Sequence, residues 1–159
     1  MNDSITPDIY EPAQDPKVLK LLKGLIDQHF ASEPYRVNQF KPHIWTLDQP
    51  GYKIFVIVTH LLVIFDAVLF PEIAKAKTDL FEELLSLNAH HVKNAKLCIV
   101  KDQVHLRVIC ELPQVNPEMF NSCLQEFGDL FPVFHEQLSN RFYPELESNN
   151  HPSTEQPDL

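Results

Sequence analysis

The sequence predicts an α+β fold: a mostly antiparallel five-stranded sheet packed on helices, in the order α-β-β-β-α-β-β-α. Three observations carry this. Apolar residues recur at helical spacing in three separate stretches. Between them lie two pairs of β-branched and aromatic runs, each short enough to close as a hairpin. The composition, 44% apolar with 11 phenylalanines in 159 residues, suits one domain with a core of its own.

The elements follow in order. Residues 1–14 hold two prolines and no periodicity, and read as an extended acidic arm. Asp15-Pro16 starts the first helix, with a carboxylate cap and a proline at the first helical position. Val18, Leu22, Leu25, Ile26 and Phe30 carry its apolar stripe to about Ser32. Pro34 and Pro42 bound a connector, residues 43–47 read as the first strand, and Asp48-Gln49-Pro50-Gly51 as a turn. Residues 52–58 and 61–69 form the first hairpin. A second helix spans roughly 74–88, with Leu80, Phe81, Leu84 and Leu85 on one face. The second hairpin, 95–100 and 103–112, closes through Lys101-Asp102. Asn116-Pro117 repeats the cap-and-proline start, and Phe120, Leu124, Phe127, Phe131, Phe134, Leu138 and Phe142 line the last helix. Pro132 deletes its hydrogen bond to Gly128, so a kink or a break is expected there. The domain is 15–144, and 145–159 read as a disordered acidic tail.

The net charge of −9 belongs to the ends. Eight acids and no Lys or Arg stand in 1–15 and 145–159, leaving 14 acidic and 13 basic residues over 16–144. Without a basic stripe, nucleic acid is not an expected partner. The most hydrophobic run, 54–70, is interrupted by Thr59, His60 and Asp66 and is short of the roughly 20 residues a spanning helix needs, so no membrane insertion is expected. The start has neither a basic nor an apolar leader region, and three cysteines without Cys-x-x-Cys suit a reducing compartment. The expected localisation is cytoplasmic.

The hairpins have different faces. With Thr59-His60 as a two-residue turn, Tyr52, Ile54, Val56 and Val58 share a fully apolar face with Leu61, Val63, Phe65 and Ala67, which should meet the helices. The opposite face pairs Ile57 with Leu62, Phe55 with Ile64 and Lys53 with Asp66. In the second hairpin one face is apolar and the other carries Lys96, Cys98, Gln103, His105 and Arg107, with Lys96 opposite Arg107. A sheet with its helices on one side therefore leaves Phe55, Ile57, Leu62 and Ile64 uncovered, and such a patch marks a dimer or partner interface.

Chemistry is poorly represented. The three glycines, at 24, 51 and 128, make no phosphate-cradling loop. The eight histidines form no zinc motif, and no metal or other cofactor is expected. The best constellation is Cys98 opposite His105, a thiol–imidazole pair without an orienting acid in the sequence pattern or an oxyanion site. A small thiol-dependent enzyme using that pair is the alternative to a binding protein. A sensor of a small apolar ligand held between sheet and last helix is another.

Residues 81–113 also carry a resemblance. Leu85, Leu87 and Asn88 at a helix end, Asp102 in a charged turn, and Leu112-Pro113 after a strand stand as they do in the YbjN-type branch of the type III secretion chaperone-like superfamily. The element order over 15–144 is similar to that superfamily's fold. The resemblance implies a small, non-catalytic, dimeric protein that binds a protein partner through an apolar sheet face and grooves.

Overall fold

A computed structural model describes residues 11–146. Helix α1 (Pro16–His29) is followed by four strands, β1 (Val37–Lys41), β2 (Ile44–Gln49), β3 (Tyr52–Val58) and β4 (Leu62–Phe70). Helix α2 (Lys77–His90), strands β5 (Lys96–Val100) and β6 (Gln103–Glu111), and helix α3 (Pro117–Phe142) follow. The strands form one sheet in the order β1-β2-β3-β4-β6-β5, with every pairing antiparallel. The sheet thus has six strands rather than the five expected. The added one, β1, has four exposed residues out of five and lies at an edge. Both of its faces are wet, so it has no hydrophobic alternation to betray it.

The helix starts are those the sequence specifies. Asp15 accepts from the Lys17 amide at 2.9 Å, and Asn116 from the Met119 amide at 2.8 Å. Helix α3 runs unbroken through Pro132 for 26 residues, so it is not split there. Its buried positions, Phe120, Cys123, Phe127, Phe131, Phe134 and Leu138, fill the seam against the sheet. On α2 the buried stripe is Leu80, Leu84 and Leu87; Phe81 and Leu85, expected beside them, are exposed. The end of α2 is fixed to edge strand β5 by Asn88, which accepts from the Leu97 amide (2.7 Å) and donates to the Leu97 carbonyl (2.9 Å).

The inner face of the sheet, including Trp45, Leu47, Ile54, Val56, Val63, Phe65, Leu106 and Val108, joins the stripes of the three helices in one core. The described part of the N-terminal arm is held along the sheet end: the Ala13 amide donates to Val58 O (3.1 Å) and the His60 amide to Glu11 O (3.0 Å). The rest of the arm and residues 147–159 of the tail lie outside the described residues. No helix among the described residues is long and apolar enough to cross a membrane.

The first hairpin turns one residue later than expected. The Thr59 hydroxyl accepts from the amides of Leu61 (3.3 Å) and Leu62 (2.9 Å), while the Thr59 amide donates to Leu62 O (2.8 Å), which leaves His60-Leu61 as the turn. Sliding the turn by one moves each partner by two. Ile57 therefore faces Ile64 rather than Leu62, and Phe55 faces Asp66 rather than Ile64. A two-residue shift keeps every side chain on its face, so the expected inner and outer faces survive a wrong register. Lys53 lies opposite Asp48 rather than Asp66, 3.5 Å from its carboxylate. The second hairpin has the expected register. Lys101 and Asp102 both take positive φ, 48° and 61°, as a two-residue hairpin turn of the primed type requires.

Candidate protein-binding face

Among the described residues, helices α1, α2 and α3 pack on the inner side, and the outer face is built by strands alone. Its side chains line up in lateral rows. One row is entirely isoleucine: Ile44 on β2, Ile57 on β3, Ile64 on β4 and Ile109 on β6 are successive cross-strand neighbours. The next row runs Thr46, Phe55, Asp66, Arg107, Lys96. Beyond it, Val68 faces His105, which faces Cys98. The outer face is thus apolar toward one end and polar toward the other.

The structure brings Phe55, Ile57, Leu62 and Ile64 to this one face, at or beside the isoleucine row. Their exposure differs. Ile64 is only 1% exposed, because Ile57 and Ile109 flank it on both sides; it supports the patch from within and presents almost nothing to solvent. Phe55, Ile57 and Leu62 are half-buried, and so is Ile44. Ile109, at 48%, is the most exposed member of the row. Ile44 and Ile109 were not anticipated, since their place depends on pairing between hairpins. The pattern of odd-numbered residues opposite the apolar inner stripe of β6 was the only signal available.

At the polar end a buried network forms. Asp66 is 6% exposed. Its Oδ1 accepts from Arg107 Nε at 2.8 Å and its Oδ2 is 2.8 Å from His105 Nδ1. His105 Nε2 is 3.2 Å from Gln103 Oε1. Arg107 can stand opposite Lys96 because Asp66 compensates it from the other side. Cys98 does face His105 across the hairpin, as the sequence predicts. Both ring nitrogens of His105 are engaged by Asp66 and Gln103, however, which leaves neither for the thiol. Burial pushes the Cys98 thiol up, and the nearby Asp66 charge adds to this, although the Arg107 guanidinium opposes it. A thiol held protonated is a poor nucleophile. Among the described residues, no three His, Cys, Asp or Glu side chains converge to hold a metal.

The expected seam between sheet and α3 is filled by phenylalanines rather than open to a ligand. A surface cavity of about 380 Å³ lies instead at the far end of α3, bordered by Ile73, Phe142 and Tyr143.

No known protein family matches this sequence, and no curated protein matches it. A solved structure does. A chain in the crystal structure of the ExsC–ExsE complex superposes with a TM-score of 0.60, over 74% of this chain and 93% of that one, at 12% sequence identity. At that identity the likeness is one of fold alone.

Proposed function

We propose that this chain is a non-catalytic protein-binding module that uses the outer face of its sheet, and that it acts as a cytoplasmic homodimer resembling secretion chaperones and YbjN-type regulators. The observation that carries the reading is the isoleucine row with Phe55 and Leu62 beside it, on a face to which no helix among the described residues contributes. The fold-level likeness to a chain in a complex with a protein partner points the same way.

The magnitudes favour a symmetric partner. Full burial of a large apolar side chain stabilises by roughly 1.5–3 kcal/mol. Scaled to the half-buried state of Ile44, Phe55, Ile57 and Leu62 and to Ile109, one copy of the patch contributes at most about 3–6 kcal/mol. Association costs about 4–15 kcal/mol, so one patch on an indifferent surface does not suffice. Two copies across a two-fold axis bury it twice, for about 6–12 kcal/mol. The test is sedimentation velocity of the full chain and of Phe55→Glu, with circular dichroism to show that the variant folds. The expected result is a dimer that becomes a monomer on substitution. A wild-type monomer, or a dimer indifferent to Phe55→Glu, rejects the reading.

A further inference from the structure

Three sulfur atoms from different parts of the chain converge at the start of α3. Cys110 is the next-to-last residue of β6 and lies on the inner face, opposite Val63. Met119 and Cys123 are four residues apart on α3, one above the other on the same side of the helix. The Cys110 and Cys123 sulfurs lie 3.3 and 3.4 Å from Met119 Sδ, and 3.9 Å from each other. We propose that Cys110, Met119 and Cys123 form a binding site for one soft monovalent transition-metal ion, copper(I).

The geometry suits a bound ion. A point equidistant from the three sulfurs lies about 2.1 Å from each, a few tenths of an ångström short of a metal–thiolate bond, which is ~2.3 Å for zinc. Small outward movements of three flexible side chains complete the fit. A cavity of about 510 Å³ bordered by all three residues gives a route from solvent. The ligand chemistry selects the metal. Thiolate and thioether are soft donors, and a set made only of them favours copper(I). Zinc prefers four N, S or O ligands in a tetrahedron, and no third His, Cys, Asp or Glu joins the two thiols among the described residues.

Binding breaks both S–H bonds, forms two copper–thiolate bonds and one copper–thioether bond, and releases two protons to water. Copper stays in the same oxidation state, so no oxidant or reductant is needed.

The test is anaerobic transfer of copper(I) from its bicinchoninate complex to the reduced full-length chain, followed by the loss of the chelator's absorbance. The expected stoichiometry is one ion per chain, with X-ray absorption showing sulfur neighbours only. Cys110→Ser and Cys123→Ser abolish transfer, while Cys98→Ser leaves it unchanged. Met119→Leu, which conserves volume and fold, weakens affinity at least about tenfold, since even outer-sphere changes cost 10–100-fold at metal sites. Phe55→Glu leaves transfer unchanged, which separates this site from the sheet-face reading. Copper that stays on the chelator overturns the proposal. So does transfer that depends on Cys98, transfer indifferent to Met119→Leu, or zinc held more tightly than copper(I).

Discussion

Asp66→Ala tests whether the polar end of the sheet is structural. Both carboxylate oxygens are used, each at 2.8 Å, and the side chains of His105 and Arg107 are only 7% and 17% exposed. Removing Asp66 takes the carboxylate away from the buried His105 imidazole and from Arg107 Nε. Breaking a buried pair from one side costs about 3–5 kcal/mol. Arg107 retains some solvent contact, which places the loss near the lower end, about 3 kcal/mol. Against the roughly 5–15 kcal/mol that holds a domain together, that is a large fraction. It corresponds to a fall in melting temperature of about 10 °C for a chain of this size. Trp45, the sole tryptophan and only 2% exposed, reports unfolding directly by fluorescence. The urea midpoint is expected to fall with little change in slope, and Asp66→Asn, which keeps one acceptor, should fall between. A loss under about 1 kcal/mol, the value of an exposed pair, would refute the view that this network holds the polar end together.

Other outcomes follow from the same geometry. Cys98 should react slowly with thiol reagents at neutral pH and faster as the medium turns alkaline; rapid stoichiometric labelling at neutrality would return the thiol-enzyme reading. Burial also raises the Tyr52 and Tyr143 phenols. In each case the folded chain keeps a proton that the unfolded chain gives up. The stabilisation is therefore full below the unfolded values and is lost as pH rises through the folded ones. Chemical denaturation should show stability falling above about pH 9. Glu126 Oε1 accepts from the amides of Lys93 (3.1 Å), Asn94 (2.8 Å) and Ala95 (2.9 Å). Glu126→Ala should destabilise by roughly 2–4 kcal/mol, as bonds to a charged acceptor are lost, with faster hydrogen exchange at 93–95 as the readout. Replacing Lys101-Asp102 by Asn-Gly, which suits positive φ better, should raise stability by about 1 kcal/mol in the same denaturation assay.

Much of the fold is legible because its signals are local. Asp15-Pro16 and Asn116-Pro117 mark helix starts through cap chemistry that needs no tertiary context. The outer face is legible for a subtler reason: alternation fixes which side chains share a side even when the turn is misplaced, as the shift from Thr59-His60 to His60-Leu61 shows. Strand β1 is hidden because an exposed edge strand has no apolar period. The exposure of Phe81 and Leu85 depends on how α2 rotates against its neighbours, which spacing does not determine. The polar network escaped notice for a similar reason. Asp66 meets His105 and Arg107 only because β6, not β5, lies beside β4, and strand order between hairpins is written nowhere in either hairpin. The sulfur cluster likewise joins a strand end to a helix start.

The most direct test compares charge placed on the two sides of the sheet. Ile109→Glu puts a carboxylate on the outer row, and Leu85→Glu puts one on the helical side, where Leu85 is 69% exposed. Sedimentation equilibrium of the full chain should give a dimer for Leu85→Glu and for the unmodified protein, and a monomer for Ile109→Glu. Dissociation by Leu85→Glu with Ile109→Glu still dimeric would place recognition on the helices and contradict the account.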